Sequence, residues 1–402
     1  MKVLFLGAIL DPSWTGGEPR IARMLDNAFS AQGINVFKGY FHRSRPRKWS
    51  VLNPWISQSV VQNSVVKAYK QHIKKVKPDI VMTWFDYDIS ALWASISLGI
   101  PTIAQAQILW PVCNLSCLFN EITESPCKGP SKSCGLCLAK RAKVIGEIRS
   151  TIPYKACLPF TQLSMMKVNN IRSKLSFASA VVSDSLFLKQ MMGRVGYNTK
   201  NIHVIYNGVN LKNIKPVYPR NNQKKVLFLS DQINRQKGVY HFIQLSKKLK
   251  PEFPETEFLW VGQNDVKGST FTTNGYVRSK QELENIYQSS YLLLLPSLWP
   301  EPMSYTVIEA MAHGKPVVAY NIGANKEAIV HGKTGLLAKW GNVDQLSSHV
   351  KTLLLDERLA RQMGENARKR AEKMFDVDRM TNDYFSLLRE TQHFNREIPI
   401  IP

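Results

Sequence analysis

Two glutamates, Glu301 and Glu309, stand eight residues apart in the stretch from Pro296 to Ala338. Apolar residues at helical spacing predict a helix over 305–313, stopped by Gly314. Glu301 then precedes the helix and Glu309 lies about a turn inside it. The amides of Met303, Ser304 and Tyr305 fall at the helix start, where N–H groups lack intrahelical partners and the dipole is positive. Such a start suits an anion, and a diphosphate fits it. A carboxylate on either side can accept from hydroxyls, Glu309 from a ribose and Glu301 from a sugar. Spacing alone equally suits two surface glutamates around an ordinary helix.

A second candidate is the loop Ser230–Gly238, SDQINRQKG, between a predicted strand and a predicted helix. Arg235 and Lys237 can reach a diphosphate from there. Cations aimed at a leaving phosphate would take the place of a metal as charge stabiliser. In isolation two cations in a loop are ordinarily solvated. Gly16-Gly17, after the first predicted strand, would let backbone approach a ligand closely, although a glycine pair ordinarily marks a turn. Arg20 and Arg23 open the next helix.

The Pro296–Ala338 segment closely resembles the Glu-x7-Glu signature of retaining glycosyltransferases with the GT-B fold, family 4. The match includes Pro302, Glu309-Ala310-Met311-Ala312, Gly314, Pro316-Val317-Val318-Ala319, Gly323, Glu327 and Gly332. The resemblance implies two Rossmann-like domains with parallel sheets facing a central cleft. It implies transfer of a sugar from a nucleotide-diphosphate sugar with no cofactor required for catalysis. Glu301 would contact the donor sugar, Glu309 the ribose, and the amides of Met303, Ser304 and Tyr305 the phosphates. Lys237-Gly238 matches the family's Lys-Gly, and Arg235 stands where some branches place an arginine. Ser230-Asp231 replaces the family's frequent Gly-Arg. Gly16 and Gly17 resemble the N-terminal glycine loop that faces donor and acceptor. Alignment on Trp110-Pro111 puts Gln107 where many relatives carry a histidine near the transferred sugar. A glutamine donates and accepts hydrogen bonds but does not titrate. Gln107 and Arg20 are thus candidates on the sugar and acceptor side.

All six cysteines fall between positions 113 and 157. Cys134-Gly-Leu-Cys137 has the gap of a metal knuckle, and Cys113 and Cys127 can complete a structural zinc site. Free thiols are the competing reading. No histidine lies between Cys113 and Cys157 to activate a thiolate, which argues against thiolate catalysis.

The elements that must position these residues repeat a strand–helix pattern twice. At 402 residues, two domains are expected. Residues 1–209 form an acceptor domain with a cysteine-bearing insertion at about 110–159. The polar, proline-bearing residues 210–224 read as a linker. Residues 225–376 form the donor domain, and 377–402 a C-terminal helix crossing back to the first domain, with Tyr384, Phe385, Leu387 and Leu388 on its buried side. Alternation of this kind argues for parallel sheets with helices on both faces.

The net charge of +23 bears on partners. From Lys38 to Lys77 there is no acid, while ten cations and two tryptophans, Trp49 and Trp55, are present. Cations with interfacial aromatics suit an anionic membrane surface, and a solvated basic face suits the same residues. No nucleic-acid reading module is recognisable. The apolar run Val3–Leu10 is too short for a membrane span and reads as a buried strand. A cytoplasmic protein, peripheral on the membrane's inner face, is expected. Its acceptor would be a glycan or a lipid-linked molecule, in polysaccharide or glycolipid biosynthesis. The competing reading is a non-catalytic nucleotide-sugar binder that kept the fold.

Overall fold

The computed structural model describes residues 1–7, 10, 17–40, 63–84, 89–107, 109, 111–113, 118–120, 123, 125–131, 134, 137, 166, 169–220, 224–230, 235–262, 266, 268–277 and 279–393. The chain divides into two compact units, one of residues 1–205 with 381–402, the other of residues 206–380.

The first unit holds a six-stranded, all-parallel sheet in the order β2-β1-β3-β4-β7-β8. Its strands are β1 (Lys2–Leu6), β2 (Asn35–Gly39), β3 (Ile80–Trp84), β4 (Thr102–Ala106), β7 (Ala180–Ser183) and β8 (Ile202–Val204). The helices α1 (Gly17–Ala31), α2 (Asn63–Val76), α3 (Ser90–Ile96) and α4 (Leu186–Arg194) alternate with them. β3 and β4 are buried along their whole length, as central parallel strands covered on both faces are, with Thr83, Thr102 and Gln105 as buried polar residues among apolar ones. Ser185 caps α4 by accepting from the Leu188 amide at 3.2 Å. The cysteine-bearing segment includes a short antiparallel pair, β5 (Phe119–Asn120) with β6 (Ser125–Pro126), where no strand was expected.

The second unit has an all-parallel sheet in the order β11-β10-β9-β12-β13-β14. The strands are β9 (Lys225–Leu229), β10 (Glu257–Val261), β11 (Thr272–Asn274), β12 (Leu292–Leu295), β13 (Val317–Tyr320) and β14 (Gly335–Ala338). Counted within this unit the order is 3-2-1-4-5-6, the dinucleotide-binding arrangement. Its switch point lies between β9 and β12. The helices are α5 (Val239–Leu249), α6 (Lys280–Ser289), α7 (Tyr305–Ala312), α8 (Asn325–Ala328), α9 (Val343–Leu355) and α10 (Glu357–Met374), and α11 (Val377–His393) runs from this unit into the first. Phe228, Phe242, Trp260 and Phe271 form an aromatic core, with Phe228 stacked on Phe242 at 4.8 Å.

The stretch read as a linker is packed onto the second unit. Leu211 and Ile214 are buried, and the Arg368 guanidinium donates to the carbonyls of Leu211, Ile214 and Ala312. Two of these carbonyls, those of Leu211 and Ile214, belong to the segment, and the guanidinium holds it in place while Lys212, Asn213 and Lys215 stay exposed. In α11, Tyr384, Leu387 and Leu388 are buried, and Phe385 packs on Phe29 at 5.2 Å between ring centres.

Candidate active site

At the carboxyl end of the second sheet, three loops converge. The turn 235–238 follows β9 and leads into α5. Gly238 adopts φ +77°, and a Cβ there would stand 1.8 Å from the Pro296 carbonyl oxygen, so only glycine permits this approach. The Gln236 carbonyl accepts from the Leu298 amide at 2.7 Å, tying the β9 loop to the loop after β12. The Ala324 amide in turn donates to the Glu301 carbonyl at 2.9 Å, adding the loop after β13.

Glu301 sits within this convergence, 7% exposed. Its Oε1 accepts from Lys237 Nζ at 3.1 Å, Ser297 Oγ at 2.9 Å and Trp299 Nε1 at 3.0 Å. Lys237 Nζ also lies over the Trp299 ring, 4.8 Å from its centre. Burial by itself would raise the Glu301 pKa. The Lys237 charge and the three hydrogen bonds outweigh burial and hold the carboxyl below its usual range, hence ionised. The pair therefore bridges the two strands at the switch point, where ligands of such sheets bind.

α7 begins next to this pair. Ser304 is its N-cap residue, yet no side chain caps the helix, and Ser304 Oγ bonds Thr306 Oγ1 at 2.8 Å instead. Met303 thus lies one residue before the cap, and the helix-start amides run from Ser304 onward. Tyr305 is the first helical residue. Glu309, also 7% exposed, is the lone charged residue on the mostly apolar α7. Its Oε2 accepts from the Tyr287 hydroxyl at 3.1 Å.

Other expected residues are placed differently. Arg235 is exposed in its turn, and its charge bears on His241. Gln107 is buried at the end of β4 in the first unit, its Nε2 donating to the Tyr384 hydroxyl at 3.4 Å; that hydroxyl donates to Gln105 Oε1 at 2.7 Å. Arg20 is half-buried on α1, and Gly17 is the first residue of that helix. Gly16, Asp231, Asn234 and Trp110 lie outside the described residues. Ser297, Trp299, Tyr287 and His313 were not singled out by sequence. Only Trp299, two positions from Glu301, carried a local signal.

Cys113, Cys127, Cys134 and Cys137 carry free thiols. Burial raises the Cys127 pKa, and the neighbouring Cys113 and Cys134 add to that, against the Gly129 backbone hydrogen bond that lowers it. Cys137 Sγ turns to Asn120 Oδ1 at 3.5 Å. Among the described residues, no three His, Cys, Asp or Glu side chains come together to hold a metal ion. Cys117 and Cys157 lie outside the described residues.

Residues 211–370 match the family described as glycosyl transferases group 1. The matched region lies within the second unit. The chain is similar to a trehalose synthase of Thermococcus litoralis, at 30% identity over 174 residues, 38% of this chain and 41% of the relative. It thus spans less than half the length of the curated relatives it first matches. Among solved structures, sucrose-phosphate synthase of Thermosynechococcus elongatus has a TM-score of 0.68 at 18% identity, covering 97% of this chain and 98% of that one. Anabaena HepE, solved with UDP-glucose, has a TM-score of 0.65 at 18% identity, covering 97% and 100%. The fold is that of the GT-B glycosyltransferases, two parallel six-stranded sheets with helices.

Proposed function

We propose that this chain is a retaining glycosyltransferase. It binds a nucleotide-diphosphate sugar on the second unit and passes the sugar to a glycan or lipid-linked acceptor bound by the first. The observation that carries the reading is the Lys237–Glu301 pair at the switch point of a 3-2-1-4-5-6 sheet, within the segment matching a glycosyltransferase family. Glu301, ionised and fixed through one oxygen, accepts from hydroxyls of the donor sugar. Lys237 is half-buried beside the site and steadies the developing charge on the diphosphate. The uncapped start of α7 adds backbone donors for the same phosphates. Glu309 takes the ribose. Arg235, exposed in the same turn, turns inward onto the diphosphate when the donor binds. Gln107 and Arg20 serve the sugar and acceptor side, and Gly16-Gly17 gives close backbone approach.

The test is a thermal-shift panel with UDP, GDP, ADP and their common sugar conjugates. A ligand bound by the folded state alone raises the melting temperature. One nucleotide raising it in the wild type, with the shift lost in Glu309→Ala, is the expected result. A flat response to every nucleotide would refute the donor site.

The peripheral membrane role rests on α2 and β2. Lys67, Lys74, Lys75 and Lys77 are exposed, as are Phe37 and Tyr40, and α2 carries no acid. His72 of α2 packs against β2, 3.2 Å from the Lys38 carbonyl, so the two surfaces adjoin. Among the described residues no helix is long and apolar enough to cross a membrane. Flotation with phosphatidylglycerol vesicles at low salt, lost at high salt, is expected; no flotation at low salt removes the membrane from the account.

A further inference from the structure

We propose that Tyr287 is a positioning residue that orients the Glu309 carboxylate toward a nucleotide ribose; this rests on the donor site proposed above. Tyr287 lies on α6, in a different element from Glu309, and is 1% exposed. Its hydroxyl donates to Glu309 Oε2 at 3.1 Å. A terminal carboxylate torsion is broad and roughly two-fold, so a directed donor on one oxygen biases the plane of the group.

The donor is itself held. The Tyr287 ring stacks on the His313 ring at 4.8 Å, with the planes 18° apart. His313 Nδ1–H donates to the Glu309 carbonyl at 2.7 Å, anchoring that ring to the end of α7. Burial, above all, holds His313 below its usual pKa, so the imidazole stays neutral and makes no competing ion pair with the carboxylate. Phenol, imidazole and carboxylate thus form a closed unit spanning α6 and both ends of one helical turn of α7.

A carboxylate in a mostly apolar helix could be satisfied by such a phenol for structural reasons alone. The two roles separate in one readout. A carboxylate aimed at a ribose discriminates a cis-diol from a single hydroxyl, and its orientation matters for that ratio. A merely structural phenol leaves the ratio alone.

The experiment measures binding of UDP, GDP and ADP, and of the 2′-deoxy form of whichever binds, by calorimetry. Tyr287→Phe keeps the ring and the stack and removes one oxygen. Wild-type protein is expected to prefer the ribonucleotide. Tyr287→Phe should bind that ribonucleotide about tenfold more weakly, as expected for losing a hydrogen bond to a charged group, and bind the deoxy form nearly unchanged. In a Glu309→Gln background the same change should leave the ratio where it is. His313→Phe, which keeps a stacked ring but removes the anchoring N–H, should lower the ratio in the same direction and covers the case in which Tyr287→Phe does not fold. If wild type discriminates and the folded variants keep its ratio, the positioning role is overturned while the donor site stands. If wild type binds none of the nucleotides, the donor site itself fails.

Discussion

Replacing Lys237 with Met tests the electrostatic core of the site. In the wild type Glu301 is 7% exposed and its Oε1 holds one charged and two neutral donors. Breaking a buried ion pair by removing one partner costs about 3–5 kcal/mol. The Lys237 side chain is 27% exposed, and Ser297 and Trp299 remain as donors, so the loss should be nearer 2–3 kcal/mol. For a unit the size of residues 206–380, this is roughly 6–9 °C in Tm. The loss should also depend on pH. In the wild type the Glu301 pKa lies below 4.5, so its contribution is present above that value and lost as pH falls through the folded pKa. Without Lys237, burial dominates and the folded pKa rises above the unfolded one. The deficit is then largest at neutral pH and shrinks toward pH 4.5. Urea unfolding followed by tryptophan fluorescence at pH 7.5 and 5.0 reads this, with Glu301→Gln added to complete a double-mutant cycle. A deficit equal at both pH values, or below about 0.5 kcal/mol, would refute the reasoning. Loss of activity in a Lys237 variant must therefore be judged against its lowered stability.

Lys315 is 1% exposed, its Nζ donating to the Gln288 carbonyl, and burial followed by the Arg220 charge lowers its pKa to about 7. Between pH 7 and 10.5 the unfolded chain holds a proton that the folded one lacks, so this term stabilises above 10.5 and is lost as pH falls toward 7. Lys315→Met should raise stability by roughly 2–4 kcal/mol at pH 7 and by less at pH 10, and no gain at pH 7 in thermal melts would contradict this. Gly238→Ala should cost well over 2 kcal/mol and weaken nucleotide binding, because the left-handed strain is joined by a clash with Pro296. Gly332→Ala has φ +76° with open space around it and should cost about 1 kcal/mol; equal losses in the two variants would show that the contact is unimportant.

The alternation of strands and helices was legible because central strands such as β12, four leucines in a row, are buried on both faces and leave unbroken apolar runs. The edge strands β11 and β14 were not, since Thr272–Asn274 is polar and Gly335–Ala338 opens on a glycine directly after a turn. Glu301 and Glu309 carried a spacing, and Gly238 a backbone requirement, so all three could be found in the sequence. Lys237, the partner of Glu301, could be found as well, but the partner of Glu309 could not. Tyr287 lies 22 residues before Glu309 on another helix, and only the sheet order brings them together. The cysteines show the reverse case: a local spacing suited to a metal, without a matching arrangement among the described residues.

The central claim is sugar transfer from a nucleotide donor, and release of nucleoside diphosphate measures it most directly. Purified protein is incubated with UDP-, GDP- and ADP-sugars and a mixed glycan and lipid-linked acceptor extract, and the freed diphosphate is quantified. The account predicts turnover of one donor class, dependent on acceptor and abolished in Glu301→Ala that still folds. Nucleotide binding without diphosphate release from any donor would contradict it and leave a binding protein in place of an enzyme.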